Sequence, residues 1–121
     1  MTEIPNSKPY DLEERTYKFA MNVALFSKKL PRTASNIEYL KQVIRSSGSI
    51  GANYIEANES LSKKDFLMRV KISRKEAKEG IYWLRLLSNT NDEQFRTEGD
   101  KLIQEALELK KILLSIIEKS S

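Results

Sequence analysis

Four segments of the chain repeat apolar or small residues at intervals of three and four, which keeps those side chains on one face of an α-helix. The clearest segment follows Ser62, and its apolar stripe consists of Phe66, Val70, Ser73, Ala77, Gly80, Leu84 and Leu87. No stretch of the chain alternates apolar and polar residues as a half-buried β-strand does. The periodicity predicts helices over about 11–29, 36–59, 62–88 and 95–119.

Local signals place the ends of these helices. A capping side chain followed three residues later by an acidic one satisfies free backbone N–H groups at a helix start. Such pairs are Asp11 with Glu14, Ser35 with Glu38, and Ser62 with Asp65. Pro31 ends the first helix, because proline disfavours helical conformation at the preceding residue. Short loops then predict one all-α domain over residues 11–121, an up-down-up-down antiparallel four-helix bundle, behind a polar leader at residues 1–10.

The second helix concentrates small residues at its centre. Two glycines and three serines lie between Ser46 and Ala52, although each glycine costs about 1 kcal/mol relative to alanine inside a helix. Close approach of a neighbouring helix is the main explanation, and a kink or break near Gly48 is the alternative. The predicted core stripe of this helix is Ile37, Leu40, Ile44, Ser47, Gly51, Tyr54 and Asn58, flanked by Val43 and Ile50.

The fourth helix is apolar over more than the roughly 100° of arc that a bundle helix needs. One seam holds Leu102, Ala106, Leu109, Leu113 and Ile116, and a second holds Ile103, Leu107, Leu114 and Ile117. The excess predicts contact with another subunit. Candidate interface residues are Trp83, Leu109, Ile112, Leu113 and Ile116. For Tyr82 and Trp83, packing in the core or an interface is the main expectation, and stacking on a nucleobase is the alternative.

The composition removes most catalytic and metal chemistry. The 121 residues include no cysteine and no histidine, which excludes disulfides, thiolate nucleophiles, Ser-His-Asp triads and histidine-ligated zinc. Glu56 and Glu76 each precede a second glutamate by three residues, but the glutamate–histidine motif of di-metal bundles is missing. These acids are expected to meet bases instead, with Arg45 or Arg69 as a partner of Glu56. The sequence therefore predicts a protein without enzymatic activity, cofactor or metal.

Targeting signals are also missing from the sequence. No stretch approaches the roughly 18 apolar residues of a membrane span, and the first nine residues have no apolar signal-peptide core. The lack of cysteine fits a reducing compartment. We therefore expect a soluble cytoplasmic protein with no membrane partner.

Positive charge is concentrated on the third helix. The segment from Lys63 to Arg85 contains eight Lys and Arg residues and three Asp and Glu residues. Its net charge is therefore +5, whereas the whole chain carries +4. The spacing of Lys64, Lys71, Lys75 and Lys78 places these four on one side of the helix. Candidate phosphate-binding residues are Lys41, Arg45, Lys64, Lys71, Arg74, Lys75 and Lys78. A solvated basic face is the alternative to a nucleic-acid surface.

Several of these segments resemble the small proteins encoded within intervening sequences of bacterial 23S ribosomal RNA genes. The matching stretches are Tyr10–Thr16, Ile44–Asn58, Ser62–Phe66, Arg74–Glu79 and Tyr82–Leu87. The resemblance implies a four-helix bundle that assembles as a homopentamer, without enzymatic activity or cofactor. It also implies kinship with the accessory protein of diversity-generating retroelements, a basic pentamer that associates with a reverse transcriptase and nucleic acid.

Two functions follow as hypotheses. The first is a homo-oligomeric bundle whose basic face binds phosphates of RNA or DNA with little sequence selectivity. The second is a structural adaptor that docks a protein partner, such as a reverse transcriptase, and does not touch nucleic acid.

Overall fold

The computed structural model describes residues 9–121, with side chains from Leu12 onward. Its four helices are α1 (Pro9–Ser27), α2 (Ala34–Asn58), α3 (Lys63–Thr90) and α4 (Arg96–Ser120), and a 3-10 turn at Glu93–Phe95 leads into α4. No strand occurs in this part of the chain. The predicted all-α fold is confirmed, with every helix end within two residues of its predicted position. Most of the predicted polar leader, and the side chain of Asp11, lie outside the described residues.

The helix starts agree with one predicted cap and correct another. Ser62 Oγ accepts a hydrogen bond from the backbone N–H of Asp65, as predicted. At α2 the cap is Thr33, whose Oγ1 accepts from the N–H of Asn36 at 3.2 Å. The prediction that Ser35 caps this helix was wrong, because α2 starts at Ala34, two residues before its predicted start, and Ser35 already lies in its first turn.

Contacts between helix ends show that neighbouring helices run antiparallel. Glu13 near the start of α1 accepts a hydrogen bond from Asn58 at the end of α2. Asn36 near the start of α2 exchanges hydrogen bonds with Asn91, directly after α3. Each helix packs on the next, and α4 returns to α1, so α1 and α3 occupy diagonally opposite corners of the bundle. The α2–α3 and α3–α4 contacts are the most extensive, and the α1–α4 contact is the smallest of the four.

In α1 the core residues recur at intervals of three and four, and they are Leu12, Thr16, Phe19, Val23 and Phe26. The core follows the predicted stripe in α3 but is rotated in α2. In α2 the predicted flanking residues Val43 and Ile50 are fully buried, whereas Ile37 and Ile44 are about half exposed. The apolar arc of α2 is wider than its buried side, and the bundle buries the part that faces both α1 and α3. The prediction that Ile37 and Ile44 lie in the core was therefore wrong.

The small residues of α2 mark close helix contacts, and α2 is continuous through Gly48. A Cβ atom at Gly51 would lie 2.8 Å from Oγ1 of the buried Thr16 on α1. On the opposite side, Ser73 Oγ of α3 donates a buried 2.7 Å hydrogen bond to the carbonyl of Ile50. Gly48 differs, because it is exposed and a Cβ there would have no neighbour within 4 Å.

Candidate nucleic-acid interface

The outer side of α3 carries a line of cations, here called the basic row. It consists of Lys64, Lys71, Lys75 and Lys78, all of which are exposed. With a rise of about 1.5 Å per residue, the row spans about 21 Å along the helix. No side chain in residues 12–121 forms an ion pair with any of the four. The α3 surface therefore presents four lysine charges without an ion-pair partner among the described residues.

Two of the three acidic residues that adjoin lysines of the row, Glu76 and Glu79, are held on the α2 side of α3 by Arg45. The Arg45 Nη2 atom lies 3.1 Å from Glu76 Oε1 and 2.6 Å from Glu79 Oε2. These hydrogen bonds to Glu79 and Glu76 raise the pKa of Arg45. The pKa of Glu79 is lowered, first because Trp83 Nε1 donates a hydrogen bond to it and then because Arg45 does. Arg45 thus engages two of the three carboxylates of α3 on the side away from the row.

This arrangement changes the predicted set of phosphate-binding residues. Arg45 was expected among them and as a partner of Glu56, but its guanidinium is engaged by Glu76 and Glu79. Arg69, the other expected partner, donates to Asn53.

The remaining two candidates lie outside the row. Lys41 is exposed on α2, and Arg74 is half-buried on α3. The structure therefore brings four of the seven candidates into one line, places Arg74 next to it and separates Lys41 and Arg45 from it. Arg85, seven residues beyond Lys78, is exposed and extends the same side of α3 by two turns.

An aromatic cluster adjoins the C-terminal end of the basic row. The Trp83 ring is half-buried between Tyr39, at 6.0 Å between ring centroids, and Tyr82, at 5.0 Å. The rings of Tyr82 and Trp83 meet edge to face, at 80°. Tyr82 itself is 56% exposed. Adjacent residues of a helix point in different directions, so the Trp83 ring packs against the protein while the Tyr82 ring lies largely in solvent.

The α4 residues predicted for a subunit interface occupy different depths. Leu109 and Leu113 are fully buried in the chain's own core, so they offer no surface to a second subunit in this fold. The other three candidates, Trp83, Ile112 and Ile116, are half-buried against that core. For those three, contact with another subunit stays a prediction.

A cluster of exposed apolar residues lies on the outer sides of α1 and α2 and is here called the α1–α2 face. It holds six of the ten exposed large hydrophobic residues of residues 12–121. They are Tyr17, Met21 and Leu25 of α1, and Ile37, Ile44 and Ile55 of α2. The sequence pattern did not predict this surface, because Ile37 and Ile44 fall on the predicted core stripe of α2. The spacing of four between the α1 residues, opposite the core stripe, was the available signal.

The fold and its surfaces define a class: a small antiparallel four-helix bundle with a cationic side on α3. Among residues 9–121, no helix combines the length and apolar character needed to cross a membrane. The sequence profile of the 23S rRNA-intervening sequence protein family matches residues 9–115. The chain belongs to that family.

A solved structure supports the same assignment. It is that of a protein with unknown function from the S23 ribosomal protein family of Bacteroides thetaiotaomicron. The two chains share 33% sequence identity and superpose with a TM-score of 0.78, over 91% of this chain and 97% of the other. No functionally curated protein matches the chain.

Proposed function

We propose that this protein is a non-enzymatic, homo-oligomeric bundle that binds the phosphate backbone of RNA or DNA through the basic row. One observation carries the proposal: the four lysines of the row are exposed and have no carboxylate partner in residues 12–121, although α3 itself carries acids. Lys75 could have paired with Glu79, which lies four residues further along α3. Here Arg45 holds Glu76 and Glu79 instead, which leaves the row available to an external polyanion.

The strength of this interaction depends on salt in a calculable way. Each neutralised phosphate contributes a slope of about −0.9 for duplex DNA, or about −0.7 for a single strand, to the logarithm of affinity against the logarithm of salt. Four contacts therefore predict a loss of about 50-fold for a single strand, or about 150-fold for a duplex, between 50 and 200 mM salt. The mechanism is electrostatic, so base sequence contributes little to affinity.

The test is fluorescence anisotropy with a labelled RNA hairpin at several salt concentrations. Lys71→Glu combined with Lys75→Glu should reduce the salt slope by about two and abolish binding at physiological salt. The matched control is Lys18→Glu combined with Lys101→Glu, which changes the net charge equally at exposed positions away from the row. Equal losses in both double variants would show only an effect of net charge. Salt-insensitive binding, or binding of an acidic protein but no RNA or DNA, would favour the adaptor function instead.

We propose further that the second copy in the oligomer covers the α1–α2 face. Contiguous exposed apolar surface of this kind is typical of protein interfaces. Gly48 lies on the same face, between Ile44 and Ile55 along α2, and no contact among residues 12–121 explains a glycine there. Close approach of a helix from another subunit would explain it, because a glycine allows two backbones to come near each other.

Light scattering tests the location of this contact. A pentamer has a mass near five times 14.0 kDa. Replacing Ile37 and Ile44 by serine should reduce the particle to a monomer, whereas Leu107→Ser, which alters an exposed apolar residue of α4, should not. If only the α4 variant dissociates the particle, the interface lies on α4, as the sequence predicted. A wild-type monomer would remove the assembly proposal altogether.

A further inference from the structure

Tyr82 continues the line of the basic row. It lies four residues after Lys78 and seven after Lys75, so its side chain emerges on the same side of α3 as both lysines. The axial rise places it about 6 Å from Lys78 along the helix. At 56% exposure, it is the most exposed aromatic residue of α3. An exposed aromatic ring therefore lies one helical turn beyond Lys78, on the same side of α3 as the lysines of the row.

The Tyr82 ring is supported on one side and open on the other. The Trp83 ring packs against it edge to face, with 5.0 Å between ring centroids. The indole is itself fixed, because its Nε1 donates a 3.2 Å hydrogen bond to Glu79 and its other neighbour is Tyr39. A ring held in this way loses less conformational entropy when a ligand stacks on it than a freely rotating ring would.

We propose that Tyr82 stacks on an unpaired nucleobase while Lys75 and Lys78 hold neighbouring phosphates, so that the site prefers single-stranded to duplex nucleic acid. The proposal rests on the phosphate-binding function of the basic row. Stacking requires a free base face, and in a duplex both faces of each internal base are covered by neighbouring base pairs. It needs no hydrogen-bond readout, so it is compatible with binding that ignores base sequence.

The experiment compares three probes that carry the same number of phosphates per strand. They are a 12-nucleotide oligothymidine, a 12-nucleotide strand of abasic residues, and a 12-base-pair duplex, each titrated with full-length protein at low salt. Stacking of one base contributes about 1–3 kcal/mol, so the wild type should bind oligothymidine about 5- to 150-fold more tightly than the abasic strand. Trp83 is the only tryptophan of the chain. Its emission should change with oligothymidine and not with the abasic strand.

Two variants at position 82 and one control separate stacking from other effects. Tyr82→Ala should lower affinity for oligothymidine to that for the abasic strand, without changing affinity for the abasic strand. Tyr82→Phe keeps a flat ring and should retain the preference. Met68→Ala, which removes an exposed but non-aromatic side chain from α3, should also leave the preference unchanged.

The outcomes distinguish this inference from the proposed function. If the wild type binds none of the probes, phosphate binding itself fails. If it binds all three with similar affinity, or if Tyr82→Ala weakens all three alike, phosphate binding holds and the stacking site is refuted. Loss of the preference in Tyr82→Phe would point to the phenol hydroxyl rather than to stacking, and would overturn the inference as well.

Discussion

The substitution Gly51→Ala should destabilise the protein, although alanine is the better helix former. The added Cβ would lie 2.8 Å from Thr16 Oγ1 and 3.2 Å from Thr16 Cβ. Thr16 is fully buried, and its hydroxyl makes 2.9 Å contacts with the carbonyl oxygens of Leu12 and Glu13 in α1. The side chain therefore cannot turn away without losing its hydrogen bonds, and α1 must move instead.

The magnitude follows from two opposing effects. Overpacking in a close-packed interior costs about 1–3 kcal/mol. Replacing glycine by alanine within a helix contributes about 1 kcal/mol in the other direction. The net free energy of unfolding should therefore fall by about 0–2 kcal/mol in Gly51→Ala. Gly80→Ala is the matched control, because Gly80 is also buried in a helix but its Cβ would meet Ser46 Oγ at an ordinary 3.5 Å. The free energy of unfolding of Gly80→Ala should therefore rise by up to about 1 kcal/mol.

The assay is urea unfolding followed by circular dichroism, with every variant at one protein concentration because association couples to stability. The two variants should differ by about 1–3 kcal/mol, which isolates the steric effect from helix propensity. Thr16→Ala should lower the free energy of unfolding less in the Gly51→Ala background than in the wild type, because the two positions are in contact. If Gly51→Ala proves as stable as Gly80→Ala, the close contact between α1 and α2 does not limit packing and the reasoning is refuted.

Two further predictions concern polar groups. Asn91→Ala should lower the free energy of unfolding by about 1–3 kcal/mol, because the amide oxygen of Asn36, a residue only 1% exposed, loses its hydrogen-bond donor. Urea unfolding measures this loss, and an unchanged unfolding midpoint would contradict the prediction. Glu79 has a lowered pKa in the fold, so its contribution to stability is present above the ordinary glutamate pKa and is lost as pH falls through the lower folded value. Melting temperatures recorded from pH 7 to about 3 should therefore fall more steeply for the wild type than for Glu79→Gln. Parallel curves would show that the hydrogen bond from Trp83 does not favour the ionised form of Glu79.

Most of the fold could be predicted from the sequence because its apolar periodicity is strong in α1 and α3. There the residues at intervals of three and four, such as Val70, Ala77 and Leu84, are those that the bundle buries. The α2 stripe was misplaced because Ile44 and Val43 are equally apolar, and periodicity alone does not say which side of a wide apolar arc meets the other helices. That choice depends on tertiary packing.

The candidate site was predictable only in part, for a related reason. The lysines of the basic row lie on one helix, so their alignment can be read from spacing alone. Arg45 pairs with carboxylates 31 and 34 residues away, and no local sequence pattern predicts contacts at that separation. The same limit applies to Tyr82 and Trp83: the sequence could not say which of the two rings would be exposed.

The diagonal placement of α1 and α3 has a consequence for avidity. Copies joined through the α1–α2 face would leave every basic row exposed, because the row lies on the outer side of α3, diagonal to α1, and not on the surfaces of α1 and α2 that the copies would share. A long nucleic acid bound to one row would then meet the rows of neighbouring copies as an intramolecular event, at an effective concentration that can reach the millimolar range. Individually weak sites would combine into tight binding of long strands, while oligonucleotides too short to reach a second row would dissociate readily.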